Sequence, residues 1–228
     1  MVRFARIVVP GVAYHVTQRG NNRQDVFFVD SDRRTYLMYL GQECGKYGLE
    51  VHGYCLMTNH IHLIVVPPTE DSLAHALGRT HFRYTQYINR LHRRIGHLWQ
   101  SRFFSCPLDE NHYYAAMKYV ERNPVRSRMV RKAWNYRWSS AGAHTGGEDE
   151  TGFLHTQEWE GIMLTEDWRE ELSSADDAGA MENLRVRTRT GRPLGSDSFI
   201  SKLEVRLGRR LRPLPVGRPK KKKTRGNK

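Results

Sequence analysis

Two histidines, His60 and His62, flank Ile61 at the head of the apolar run Leu63-Ile64-Val65-Val66. On a strand, side chains at i and i+2 leave the same face. Both imidazoles can therefore address one ion while Ile61 enters a core on the opposite side. Neutral imidazole is a common ligand for divalent metals. Two hydrogen-bonded histidines on a half-buried strand are an equally good account of a bare His-x-His.

Tyr119 and Asn123 make a second pair. Four residues apart on a helix, they share a face. A tyrosine hydroxyl can attack a phosphodiester when a cation neutralises the phosphate oxygens. An Asn carbonyl oxygen is a suitable hard ligand for Mg²⁺ or Mn²⁺. Spacing alone favours a plainer reading, with Tyr119 in the core and Asn123 ending a helix before Pro124. Tyr113 and Tyr114 lie on the same stretch but are off-register with Tyr119. The residues four positions after them are Met117 and Lys118, neither of them a ligand.

The elements that must position these groups can be read from periodicity and punctuation. Residues 12–18 are rich in β-formers and predict strand one. The basic loop Arg19-Gly20-Asn21-Asn22-Arg23 follows, suited either to phosphates and bases or to a solvated turn. Asp30-Ser31-Asp32 caps a helix to about Tyr47, whose stripe is Tyr36, Leu37, Leu40 and Cys44 and which Gly48 ends. Residues 49–57 predict strand two, Thr58-Asn59 the turn, and 60–66 strand three, stopped by Pro67-Pro68. Residues 72–92 predict a second helix with Leu73, Leu77, Thr80, Tyr84, Tyr87, Ile88 and Leu91 on its apolar side. Its arginines, Arg83 among them, suit either solvent or phosphate. Residues 98–106 predict strand four and 112–122 a third helix. This order predicts an α+β fold, a four-stranded, mainly antiparallel sheet with packed helices on a ferredoxin-like, split βαβ plan.

The 228 residues carry a formal net charge of +13, which favours a polyanionic partner, nucleic acid ahead of an anionic membrane surface. Cys44, Cys55 and Cys106 are scattered, in keeping with a reducing compartment. The short apolar part of the N-terminus argues against a signal peptide. No apolar run approaches the ~20 residues of a membrane span. The expectation is a cytoplasmic protein. Beyond Val130 the aromatic stretch Trp134–Ser140 is expected to pack back on the domain. Residues 146–190 read as an acidic, partly helical extension with Trp159 and Trp168 as anchors. Residues 191–228 read as a basic, flexible DNA-binding tail with one short helix over 199–207.

Taken together, several segments resemble one family. His60-Ile61-His62 is similar to the histidine–hydrophobic–histidine (HUH) motif of single-tyrosine transposases, and Tyr119 to Arg126 to their nucleophile helix. Gly53 to His62, Trp99-Gln100-Ser101-Arg102-Phe103 and Trp138-Ser139-Ser140 resemble the REP-associated tyrosine transposase branch. The resemblance spans about residues 8–145, and a catalytic domain over 1–145 is expected. It implies an HUH endonuclease fold and an enzyme that nicks and rejoins single-stranded DNA. His60 and His62 would bind a divalent ion, Mg²⁺ or Mn²⁺, with Asn123 as third ligand where other branches use glutamine. Tyr119 would form a 5′-phosphotyrosine link and free a 3′-hydroxyl, and another 3′-hydroxyl would reverse the step without ATP. The implied substrate is the repetitive extragenic palindrome, a hairpin beside a short guide, which places the protein on the nucleoid. Arg19, Asn22, Arg23, Arg83, Arg102, Arg192 and Arg218 are the candidate DNA contacts. The last two sit in Gly-Arg-Pro triplets like those of minor-groove hooks, although nonspecific attraction by a basic tail is the better account of them. The competing class is a non-catalytic nucleic-acid-binding module that uses the sheet as a stacking platform.

Overall fold

A computed structural model describes residues 6–156 and 165–213. The chain enters the sheet with β1 (Tyr14–Arg19), crosses it with α1 (Asp30–Tyr47), and returns as the hairpin β2 (Glu50–Met57) and β3 (His60–Val66). Helix α2 (Ser72–Leu91) and strand β4 (Phe104–Pro107) close the second half. The strand order is β2-β3-β1-β4, with every neighbouring pair antiparallel. This is the split βαβ arrangement expected from the order of elements.

Local chemistry accounts for the ends of α1. Asp32 Oδ2 accepts from the backbone N–H groups of Phe28 and Val29 at 2.8 and 3.1 Å, reaching back from the first turn to fix the chain as it enters the helix. Gly48 closes the helix at φ 63°, its N–H donating to the Cys44 carbonyl. Tyr36, Leu37, Leu40 and Cys44 are buried, as their spacing requires. The apolar side of α2 is buried likewise, except that Leu91 is 54% exposed and Tyr87 only half-buried.

The register sorts the sheet into two faces. Tyr14, Val16, Gln18, Ile61, Leu63, Val65 and Tyr54 share one, and Phe153 packs between Tyr54 and Gly41 of α1 on that side. His15, Thr17, Arg19, His60, His62, Ile64, Gly53, Cys55 and Cys106 share the other. Helix α3 (Glu110–Glu121) packs across this second face, and the single turn α4 (Asn123–Arg126) follows it. Asp109 caps α3 by accepting from the His112 N–H at 3.0 Å.

Strand four is shorter than its sequence suggests. Only residues 104–107 join the ladder, and residues 98–103 touch the sheet through an isolated Gly20–Trp99 bridge and the Gln100 N–H to the Arg19 carbonyl. Burial of Trp99 outweighs strand propensity here. Its indole lies 4.9 Å from the His81 ring of α2 and donates Nε1–H to the His81 carbonyl at 3.3 Å.

After α4 the chain turns back over the edge of β2. Tyr136 donates its hydroxyl to the Leu56 carbonyl at 2.8 Å, and the Leu56 N–H donates to the Trp138 carbonyl at 2.8 Å. The short helix α5 (Ala141–His144) follows, and the extension then supplies α6 (Thr165–Ser173), α7 (Ala178–Thr190) and α8 (Asp197–Leu207). Trp168 of α6 is fully buried and donates Nε1–H to Glu121 Oε2 at 2.8 Å. Glu121 also takes hydrogen bonds from Ser140 Oγ and, at 2.6 Å, from His144 Nδ1. That buried carboxylate ties α3, α5 and α6 together, since a buried charge must be hydrogen-bonded. Helix α7 packs on β4 and β1.

Within residues 191–213 the short helix expected over 199–207 is α8, and the segment docks on the domain. Leu194 bridges to Leu108, and Ile200 and Leu203 of α8 form a second core cluster with Ile7, Val9 and Leu211. Apolar residues at helical spacing within an otherwise basic stretch give this segment something to bury. Trp159 and Arg218 lie outside the described residues. Among the described residues no helix is long and apolar enough to cross a membrane.

Candidate active site

The β2–β3 hairpin fixes the two histidines. Its two-residue turn sets the register, so His60 opposes Met57 and His62 opposes Cys55, while Arg19 and Thr17 of β1 flank them on the other side. The rings of His60 and His62 meet edge to face with centroids 5.0 Å apart. Ile61 is fully buried on the reverse face.

The Nδ1 atom of each ring is already engaged. His60 Nδ1 lies 2.6 Å from Asn59 Oδ1. An amide oxygen only accepts, so Nδ1 carries the proton and Nε2 keeps its lone pair. His62 Nδ1 lies 2.9 Å from His15 Nε2, and His15 Nδ1 lies 2.7 Å from Thr188 Oγ1. When protons run along this chain from His62 to His15 to Thr188, His62 Nε2 is also left with a lone pair. Neighbours that hold one ring nitrogen are what fix the tautomer of a ligating histidine. Among the described residues no hydrogen bond uses the Nε2 of His60 or of His62.

Electrostatics reinforce neutrality. Burial, assisted by Arg19, lowers the His60 pKa to about 4. Burial, then His60 and His15, holds His62 well below its ordinary value. Burial takes His15 down to about 3. Desolvation penalises the imidazolium, so the rings are neutral and competent as ligands at neutral pH.

Tyr119 meets this pair from α3. Its ring lies edge-on to His62 at 5.5 Å and to His15 at 5.7 Å. Two cations attend it. The Arg126 guanidinium lies 4.3 Å from the ring centroid. Arg185 of α7 donates Nε–H to the phenol oxygen at 3.4 Å. Met117, two residues earlier, packs so closely on Gly53 of β2 that a Cβ there would come 2.3 Å from its sulfur. Glycine at this position lets α3 lie down on the sheet.

Asn123 falls just past the α3 break at Arg122, as the first residue of α4, and is 8% exposed. Its amide nitrogen is buried and finds no hydrogen-bond partner among the described residues. The two ends of an Asn amide are assigned from their partners, so an unpaired buried end is compatible with a carbonyl offered to an ion. Two neutral imidazoles with open Nε2 atoms suit a divalent ion, and an amide oxygen is a donor that the same ion accepts beside phosphate oxygens.

The other candidates divide. Arg19, Asn22 and Arg23 gather beside His60: all three are exposed, and Asn59 Nδ2 donates to the Arg23 carbonyl at 3.1 Å. Asn22 and Arg23 adopt left-handed backbone at φ 51° and 61°, which turns the loop tightly. Arg83 does not join them. It bonds Glu43 and Gln42 of α1 at 2.7 and 2.8 Å, which engages its guanidinium between the two helices. Arg102 is exposed at the β4 end near Arg6 and Arg189. Arg192 donates to the Leu211 carbonyl and its own carbonyl accepts from Cys106 Sγ, so it braces the C-terminal segment. Tyr113 reaches His52 instead of the His60–His62 pair, as its angular offset from Tyr119 implies.

The sequence reading did not identify His15, Asn59, Arg126, Arg185 or Thr188 as parts of this site. His15 carried a usable signal, since it alternates with Thr17 and Arg19 along strand one. Arg185 and Thr188 carried none, because only the long return of α7 brings them here.

Comparison with known proteins fits this architecture. A family model described as IS200-like transposase matches residues 8–123, more than half of the chain. A solved REP-associated tyrosine transposase, bound to a REP hairpin, superposes with a TM-score of 0.56 at 16% identity, over 63% of this chain and 85% of that one. A transposase candidate from Deinococcus radiodurans R1 reaches a TM-score of 0.38 at 21% identity, over 53% of this chain and 96% of that one. No curated protein sequence matches the chain.

Proposed function

The chain belongs to the IS200-like transposase family, and from that premise we propose that it nicks and rejoins single-stranded DNA with Tyr119 as nucleophile. The observation that carries the reading is Tyr119 lying edge-on to His62, beside two histidines whose Nδ1 atoms are engaged and whose Nε2 atoms make no hydrogen bond among the described residues. His60, His62 and Asn123 would hold Mg²⁺ or Mn²⁺. When bound, that ion supplies Lewis-acid polarisation of the scissile phosphate.

The phenol oxygen of Tyr119 bonds to phosphorus as the bond to the leaving 3′-oxygen breaks. The phenol proton departs and the 3′-oxygen acquires one, so the products are a 5′-phosphotyrosine and a 3′-hydroxyl. Arg185, within hydrogen-bonding reach of the phenol oxygen, steadies the charge that develops there. Arg126 adds a second positive charge on the same ring. Burial pulls the Arg126 pKa below its ordinary value, but a guanidinium stays charged in proteins. Attack by a second 3′-hydroxyl on the phosphotyrosine reverses the step and conserves bond energy.

The proposed substrate is a hairpin-forming palindrome of the REP type, which the solved relative binds. Arg19, Asn22 and Arg23 form an exposed basic rim beside His60 suited to its backbone. Arg102, near Arg6 and Arg189, offers a second basic surface.

The test mixes the protein, Mg²⁺ and a single strand carrying a hairpin, then scores adducts that survive denaturation. The wild type forms one, and Tyr119→Phe binds the strand without forming it. An adduct retained in Tyr119→Phe removes Tyr119 from the role. Binding without any wild-type adduct in Mg²⁺ or Mn²⁺ favours the non-catalytic module instead.

A further inference from the structure

A second set of metal-type donors lies at the opposite end of the sheet. His60 is the first residue of β3 and Val66, opposite Glu50, is the last, which separates the two regions by roughly 20 Å of strand. Glu50, His52 and His155 each bring a ligand atom within 4.8 Å of the others.

Three features make this more than a chance cluster. First, the β2–β3 register shifts between Val51 and Gly53, so His52 occupies a bulge. Bulges re-aim a side chain, and His52 is turned toward α3, where its Nδ1 lies 2.9 Å from the Tyr113 hydroxyl. With Nδ1–H donating to that oxygen, the Nε2 lone pair faces Glu50. A tyrosine hydroxyl thus does for His52 what Asn59 does for His60.

Second, His52 Nε2 and Glu50 Oε2 are 3.4 Å apart. A strong charge-assisted hydrogen bond would be about 2.7–2.9 Å. Two ligands about 2.1 Å from a tetrahedral zinc ion stand about 3.4 Å apart. The spacing suits an ion between the two groups better than a proton.

Third, His155 is held in place by backbone pairing. Its N–H donates to the Val51 carbonyl at 2.8 Å, and Leu154 bridges Val51 in parallel. Its ring stacks on that of His52 with centroids 5.1 Å apart. On another side, Glu50 and His52 line a cavity of about 610 Å³ with Tyr113, Glu110, Ser196 and Lys202, leaving room for a water or an external donor as fourth ligand.

We propose that Glu50, His52 and His155 form a zinc-binding site that pins residues 153–156 to the start of β2. Two imidazoles and one carboxylate select zinc over Mg²⁺. The site is independent of His60 and His62.

The test strips metal from the full chain and titrates Zn²⁺ against a chromophoric zinc chelator. It compares the wild type with His155→Ala, Glu50→Gln and the double variant His60→Ala/His62→Ala. The wild type and the double variant should share a tight zinc equivalent, and the two single variants should hold it at least about 10-fold more weakly. Zinc should also raise the melting temperature of the wild type and not that of His155→Ala, since an ion that binds only the folded state stabilises it. The Glu50 side chain is 43% exposed and glutamine matches its shape, so Glu50→Gln remains informative if His155→Ala fails to fold. No tight zinc in the wild type, tight zinc unchanged in both single variants, or loss of all tight zinc in the double variant would each overturn the proposal.

Discussion

The position of α3 on the sheet can be perturbed at one atom. Replacing Gly53 with alanine puts a methyl group 2.3 Å from Met117 Sδ, 3.0 Å from Met117 Cε and 3.2 Å from Ser140 Oγ. Ordinary contact lies at about 3.5–4.0 Å, so the sulfur must retreat by roughly 1.2–1.7 Å. Met117 is fully buried in a packed core, and overpacking of this size costs about 1–3 kcal/mol. If α3 lifts to relieve it, Tyr119 rises with it away from His62. A misplacement of about 1 Å in a catalytic group can reduce rate by about 10²-fold. Urea unfolding gives the first quantity and the rate of adduct formation on a hairpin-bearing strand gives the second. Met117→Ala alone costs about 2–5 kcal/mol. In the Gly53→Ala background it removes the clash as well, so a double-mutant cycle should show coupling of about 0.5–3 kcal/mol. Gly53→Ala with wild-type stability and wild-type rate, or a cycle without coupling, would refute the claim that this contact seats the helix.

Other perturbations probe separate parts of the site and its support. His15→Phe removes the partner of His62 Nδ1 and should weaken Mn²⁺ binding about 10–100-fold by calorimetry; equal affinity would deny His15 an orienting role. Trp168→Phe deletes the indole donor to the buried Glu121 carboxylate and should cost about 1.5–3 kcal/mol in chemical unfolding. Burial, aided by Arg6, takes the His81 pKa to about 3, below its unfolded value of about 6.5. The unfolded state therefore binds the extra proton, and the stability from neutral His81 is complete above about pH 6.5 and lost as pH falls toward 3. The slope is about 1.4 kcal/mol per pH unit, or about 2 kcal/mol lost by pH 5. His81→Asn should flatten the stability curve by that slope, and a parallel curve would contradict the assignment.

The architecture was legible wherever local rules act alone. The α1 and α2 stripes, the Gly48 terminus, the Thr58-Asn59 turn and the face shared by His60 and His62 all follow from period, punctuation and parity. Strand four failed because Trp99 reads as a strand former but finds more burial against α2. Arg83 failed because a basic helix face says nothing about which acidic neighbour it meets, and here Glu43 takes it. The candidate site was half legible. His60, His62 and Tyr119 stand out by type and spacing, whereas Arg185 and Thr188 arrive through tertiary return of α7, which no local pattern encodes. In the C-terminal segment the short helix over 199–207 was legible from its apolar spacing, whereas its seat on Ile7 and Val9, about 190 residues earlier in the chain, was not, because no local pattern encodes it.

The buried Glu121 carboxylate also imposes a timetable. It lies two residues after Tyr119, and its Trp168 donor follows it by 47 residues. At synthesis rates of about 5–20 residues per second, that donor leaves the ribosome about 2–10 s later. During that interval the helix bearing Tyr119 has a carboxylate ready for burial whose partners Ser140, His144 and Trp168 arrive in turn, Trp168 last. The β2–β3 hairpin is already complete by then. A nascent chain thus builds its histidine pair early and settles its tyrosine late, after enough of the extension has emerged to bring Trp168 home.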